Sequence, residues 1–227
     1  MKKILISIMV LILSLTGCAQ TKPAVEIDWV DFINHRNITY MATEFTASAD
    51  KIESEIGKTL FKVSDNIHDP NYKTKDGDAA FLVVGTPIYK IKDYKTEFRV
   101  AVKKEGQFIV YQVSRNPNAK TGKDLFDIKN KVVSVSINSA VDNSKIVDIA
   151  DRVTIEKIVL NLLNAQVISP MEGKSEKRYF LSFNLQDETS FNRTYWLDEN
   201  IVWGDLKPSE EFKQLITNAL PKNQDIS

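Results

Sequence analysis

Between Trp29 and about Gln112 the apolar residues come in short runs that alternate with polar ones, and a period of two commits this half of the chain to β-sheet. Ile38 to Met41 reads as a strand. Ser48 to Ile56 reads as a short helix or a loop over the sheet. Gly57 to Val63 alternates, with Leu60 and Lys62 opposed to Phe61 and Val63. Asp76-Gly77 signals a turn, Ala79 to Val84 is an apolar run, Gly85-Thr86-Pro87 turns again, and Ile88 to Ile91 returns. Phe98, Val100 and Val102 alternate with charged or small residues, Glu105-Gly106 turns, and Phe108 to Val113 pairs back. The expectation for 29–114 is an antiparallel β meander or small barrel.

Arg115 to Lys123, rich in Asn, Pro, Gly and Lys, is the best linker candidate; the alternative is a long hairpin loop inside one domain. Residues 124–221 then mix periods. Val133, Val135 and Ile137 share one face of a strand, Asp142-Asn143 turns, and Ile146 to Ile149 returns. Asp151 can N-cap a helix whose apolar stripe is Ile155, Ile158, Val159, Leu162 and Leu163, and Ser169-Pro170 closes that region. Tyr179, Leu181, Phe183 and Leu185 alternate as a strand, Asp187-Glu188 turns tightly, Ser190 to Leu197 runs back, and Ile201 to Trp203 is a third short strand. Pro208 suits the first turn of a last helix striped by Phe212, Leu215, Ile216 and Ala219. The order β-β-α-β-β-β-α predicts an antiparallel sheet with two helices on one face, and an α+β class for the whole chain.

The N-terminus has a different character. Lys2 and Lys3 precede a run of 12 apolar or small residues, Ile4 to Leu15. As a helix that run would rise about 18 Å, too short for a hydrocarbon core of about 30 Å, so it reads as a signal-peptide core over residues 1–17. Leu15-Thr16-Gly17-Cys18 resembles the lipobox of bacterial prolipoproteins. The resemblance implies cleavage between Gly17 and Cys18, diacylglycerol on the Cys18 sulfur, and a lipidated tether over 18–28. Two acyl chains suffice for a stable anchor where one is marginal, at about 0.8 kcal/mol per buried methylene. Cys18 is the only cysteine of the 227 residues, and it stands at the one position a lipobox requires.

Cleavage there would leave 210 residues with 28 basic and 30 acidic side chains. That balance offers no basic face for nucleic acid and no polybasic membrane patch. No cysteine would remain for an intrachain disulfide, so the fold must stand on its apolar core. A chain of this length can bury about 70% of its unfolded surface, and 43% hydrophobic content suits a globular protein.

The stretch from Val132 to Leu220 is also similar to the YhfM-like lipoproteins of unknown function from Gram-positive bacilli. The likeness rests on the helix, Tyr179-Phe180-Leu181, Tyr195-Trp196-Leu197, and Pro208 followed by Phe212. It implies a cell-membrane location and supplies no catalytic residues. Ala19 after the cysteine is also compatible with an outer membrane.

Candidate chemistry is sparse. His35 and His68 sit in polar stretches without metal-ligand spacing and read as surface loop residues. Asp69-Pro70-Asn71-Tyr72-Lys73-Thr74-Lys75-Asp76-Gly77-Asp78 faintly resembles a calcium loop, but Lys73 and Lys75 occupy would-be ligand positions and no closing Glu follows. Gly85-Thr86-Pro87 lacks the spacing of a phosphate loop. No Gly-x-Ser-x-Gly elbow occurs, and no particular serine–lysine pair is marked. Asp198/Glu199 and Glu210/Glu211 suit turn and helix-start roles. Tyr195 and Trp196 point to opposite faces of a strand, so with Trp203 they make no single sugar platform. Asn37-Ile38-Thr39 and Asn192-Arg193-Thr194 match a glycosylation sequon that means little in a bacterium.

The expectation is a non-enzymatic, extracytoplasmic binding module on the cell membrane. It would have no cofactor, no metal and no nucleic-acid partner, and would meet the bilayer through Cys18 and another envelope protein or a ligand through its fold. An envelope hydrolase of unrecognised type would instead need a cleft with at least two titratable groups, expected between the two halves. A small solute receptor is the third reading, and the lack of repeated βαβ units speaks against it.

Overall fold

The computed structural model describes residues 27–170 and 175–221. The lipobox, including the cleavage pair Gly17 and Cys18, lies outside the described residues. So does most of the expected tether.

The first sheet has eight strands: β1 (Phe32–His35), β2 (Ile38–Ala47), β3 (Ile52–Lys58), β4 (Phe61–Lys62), β5 (Asp78–Ala79), β6 (Pro87–Ile91), β7 (Arg99–Lys104) and β8 (Gln107–Arg115). Their order is β3-β6-β7-β8-β2-β1-β5-β4, antiparallel except for the β4–β5 pair. β3 and β4 stand at opposite edges of this sheet, yet only Thr59 and Leu60 separate them in the chain. Three Cα steps span at most about 11 Å, so the sheet has to curl until its edges meet. Hydrogen bonds from Thr59 Oγ1 to the Val83 carbonyl (2.6 Å) and from Gly85 N to the Thr59 carbonyl (2.8 Å) hold the curl. The result is a half-barrel.

Ser48 to Ile56 departs from its expectation. Residues 49–51 make one 3₁₀ turn, and Ile52 already starts β3. Pairing with β6 overrides the local helical option, as tertiary context commonly does. The run Ala79 to Val84 is strand only at its first residue, because the segment after it turns away to meet Thr59.

The second sheet contains β9 (Val132–Ser139), β10 (Lys145–Ile149), β11 (Gln166–Val167), β12 (Arg178–Leu185), β13 (Ser190–Trp196), β14 (Ile201–Val202) and β15 (Leu206–Lys207). The order is β10-β9-β12-β13-β14-β15-β11, antiparallel throughout. Two helices accompany it, α1 (Arg152–Asn164) and α2 (Glu210–Ala219), and α1 packs on both β9 and α2. The Asp151 carboxylate caps α1, accepting from Thr154 N at 2.9 Å, and all five stripe residues are buried. Pro208 lies before the cap of α2, whose N-cap is Ser209. Val133 leaves the face it was expected to share with Val135 and Ile137. Leu185 pairs with Val132 while Asn184 pairs with Ser134, so a bulge at Val133 turns its side chain outward.

One continuous core runs through both sheets. Phe98 beside β7 packs edge-on against Phe191 of β13 (5.7 Å between ring centroids), and Phe191 stacks on Phe183 of β12 at 4.7 Å. Such pairs contribute about 0.5–1.5 kcal/mol each beyond their buried area. The expected linker is pinned as well. Asp124 accepts from the backbone of Lys120 and Thr121, Gly122 N donates to the Ala165 carbonyl at the end of α1, and Val167 N donates to the Lys120 carbonyl.

Candidate functional site

β7 is buried on both faces from Arg99 to Val102, because its outer side is covered by the second sheet. Arg99, read from sequence as one of the charged residues alternating with Phe98 and Val100, is therefore 1% exposed. Its guanidinium is received by the β12–β13 turn. NH1 donates to Thr189 Oγ1 at 2.6 Å and lies 3.5 Å from Asp187 Oδ2, and NH2 reaches the Ser190 carbonyl at 3.4 Å. Its central carbon also sits over the rings of Phe98 (4.7 Å) and Tyr94 (4.9 Å).

The receiving turn is built for this. Glu188 takes a positive φ of 64°, which lets Asp187 fold back so that Oδ1 accepts from Thr189 N (3.2 Å) and Thr189 Oγ1 (2.6 Å). Asp187 Oδ2 accepts from the Tyr94 hydroxyl at 2.7 Å. The bond directions form a chain, guanidinium to threonine hydroxyl to carboxylate. Burial pushes the Asp187 carboxyl upward, but the bonds from Thr189 and Tyr94 and the Arg99 charge outweigh it and hold it below the usual carboxylate value. Burial, then the bond to Asp187, raises the Tyr94 hydroxyl well above its usual range.

These residues line a cleft of about 760 Å3 at the junction of the two sheets. Lys51, Lys92 and Lys131 bring positive charge to its walls, and Asp93 and Glu188 bring negative charge. Lys131 Nζ is held by the Asp93 carbonyl (2.5 Å) and Asp127 Oδ2 (2.8 Å), over the Tyr94 ring.

A second arginine crosses the same junction in the opposite direction. Arg193 of β13 is 8% exposed, donates from NH2 to the Val113 carbonyl of β8 (3.1 Å), and lies 4.1 Å from the centre of the Trp203 ring. Burial lowers its guanidinium to about 9, the Arg99 charge adds to that, and Asp205 opposes it.

The residues singled out from sequence fall elsewhere. His35 is half-buried, not a loop surface residue: it ends β1, and its imidazole fills the space beside Gly57. His68 is exposed. The acids of the calcium-like loop are taken up by backbone and tyrosine donors: Asp69 accepts from Asn71 N and Asp78 from Lys75 N and the Tyr72 hydroxyl within the loop, and Asp76 from Asn37 N in the turn between β1 and β2. Among the described residues no group of three or more His, Cys, Asp and Glu is placed to hold a metal. Gly85-Thr86-Pro87 is a turn against Thr59. Glu199 accepts from Ser175, Glu211 from Asn161, and Glu210 lies 3.4 Å from Asn200 Nδ2. Tyr195 is buried, and Trp196 and Trp203 are half-buried. Tyr94, Arg99, Asp187 and Thr189 carry the candidate site, and sequence reasoning finds only the turn at Asp187. Their other sequence signal is an arginine inside an apolar alternation, which local reading sends to solvent.

No protein-family model matches the chain, and no curated protein or solved structure matches it. No helix among the described residues is long and apolar enough to cross a membrane.

Proposed function

We propose that this chain is a lipid-anchored extracytoplasmic binding module that receives its partner in the cleft between the two sheets and performs no covalent chemistry there. The observation that carries the reading is the closed network of Arg99, Thr189, Asp187 and Tyr94. Its acid is held ionised and its phenol protonated, so this network presents a fixed charge and not a group poised to exchange a proton near neutral pH. Both helices cover one face of the second sheet in this reading, and the half-barrel covers the other. The Leu15-Thr16-Gly17-Cys18 motif supports the anchor, and the likeness of Val132 to Leu220 to the YhfM-like lipoproteins favours the cell membrane of a Gram-positive host.

A photoreactive residue placed at Glu188 or Lys92 in living cells tests the cleft. The expected result is a single partner captured from both positions and not from Val141, which is 88% exposed on the turn between β9 and β10. Equal capture from all three rejects the cleft as the site. The anchor has its own test: Cys18→Ser releases the protein or leaves it unprocessed, and unchanged retention and mobility reject it. The volume of the cleft lies within the range of small-molecule sites, which favours a solute bearing both charges as a second reading. A thermal shift with zwitterionic solutes, lost in Lys92→Glu, would support it.

A further inference from the structure

The lobe around β4 and β5 has a small core of its own. Phe32, Val63 and Ala80 are buried together, and Trp29, Phe61, Ile67 and Tyr72 pack on them. Trp29, two residues after the first described residue, stands 6.0 Å from Phe32 between ring centroids. Around this core Val30, Leu60, Phe81, Val83 and Val84 face solvent, each between 42% and 67% exposed. They are five of the ten large apolar side chains left exposed among the described residues; the others are spread over β2, β9, the turn between β9 and β10, and α1. The bonds between Thr59 and the Val83–Gly85 segment bring the backbone of Val83 and Val84 up to the residue before Leu60, whose side chain lies over Gly77. Ser64 N bonds to the Ala80 carbonyl, so the segment that carries the exposed Phe81 leads directly out of the small core.

Two arguments select the occupant. Eleven Cα steps join Cys18 to Trp29, and at roughly 3.3–3.6 Å per step they reach no further than about 40 Å. Whatever holds Cys18 therefore keeps Trp29, which packs on this lobe, within that distance. Five side chains also expose only on the order of a few hundred Å2, less than the roughly 800 Å2 that each partner buries in a standard protein interface. A weak apolar contact becomes effective when a tether already supplies a high local concentration. Two neighbouring lysines are paired with acids, Lys58 with Glu55 and Lys62 with Asp65.

We propose that this lobe docks on the bilayer, with Leu60, Phe81, Val83 and Val84 entering its interfacial region. The proposal rests on the lipid-anchor reading, and its test imposes the anchor chemically so that the two can fail separately. The chain from Cys18 onward is coupled through its single thiol to vesicles of phosphatidylglycerol and phosphatidylethanolamine doped with a maleimide lipid. Hydroxyl-radical footprinting then compares it with the thiol-capped chain mixed with undoped vesicles. Oxidation of Phe81 and Leu60 is expected to fall at least threefold on coupling, with Val141 unchanged, and the protection of Phe81 is expected to vanish in Val83→Glu/Val84→Glu. Unchanged reactivity at Phe81 and Leu60, an equal fall at Val141, or protection that survives the double substitution would overturn the docking. So would a photoreactive residue at Val83 that captures a protein in cells instead of lipid. The mass of Cys18 from the native host decides the anchor independently of these outcomes.

Discussion

The Tyr94 hydroxyl donates a 2.7 Å hydrogen bond to Oδ2 of Asp187, a residue 93 positions further along the chain. Both groups also meet Arg99, so one contact ties the half-barrel to the hairpin of the second sheet. Hydrogen bonds to a charged group contribute about 1.5–3 kcal/mol, and the partial exposure of Asp187 places this one at the low end. Asp187→Ala is expected to destabilise by about 2 kcal/mol and Tyr94→Phe by about 1 kcal/mol. The double variant should lose about 1 kcal/mol less than their sum. Urea unfolding of the four proteins measures the coupling, and strict additivity would show that the contact contributes nothing.

Acid should act through the same carboxylate. The Asp187 carboxyl lies below its ordinary 3.8 in the folded protein. Its contribution is thus fully present above that value and is lost as the pH falls through the lower folded value. Asp187→Asn should flatten the acid limb of a stability–pH profile below about pH 4 and leave the neutral region parallel to wild type.

His35 acts in the same direction at a higher pH. Burial first, then the charge of Arg36, lowers its imidazole below 6.5, although Asp76 opposes the shift. The unfolded chain takes up a proton before the folded one, so stability is complete above pH 6.5 and declines as the pH drops from there toward the folded value. His35→Gln should remove that slope. An NMR titration in which His35 becomes protonated above pH 6.5 would refute the assignment.

Gly122 is required for lack of space. A Cβ there would lie 2.0 Å from the Leu162 carbonyl oxygen of α1, which is backbone and cannot rotate away. Gly122→Ala is expected to cost about 3 kcal/mol or more. Gly85 at φ +86° has nothing within 4 Å of a Cβ, so Gly85→Ala should cost only the conformational penalty of about 1–2 kcal/mol. Denaturant midpoints that rank the two the other way would contradict the packing described.

Asp151→Ala should cost about 1 kcal/mol by leaving Thr154 N without its cap. Asp151→Ser should restore most of that. A variant as stable as wild type would show that α1 is held by its buried stripe alone.

Local periodicity alone makes several elements legible. Tyr179, Leu181, Phe183 and Leu185 alternate and are all buried in β12, and the stripe from Ile155 to Leu163 faces the core as the 3.6-residue period requires. The candidate site is not legible in this way. Arg99 looks like any charged residue on the solvent face of a strand, and its burial depends on a turn about 90 residues away. Val133 obeys the alternation of β9 in sequence and breaks it in space, because the bulge is set by how β12 pairs with it.

The sequence by itself determined the periods, the cap at Asp151 and the turns at Asp76-Gly77 and Glu105-Gly106, since each follows from dihedral preferences and apolar spacing within a few residues. Only the tertiary structure decided that the first sheet curls, that β7 is covered on both faces, and that two arginines cross between the sheets. Those outcomes follow from the pairing of distant segments, and what a side chain gains or loses on burial depends on what the other segment presents to it.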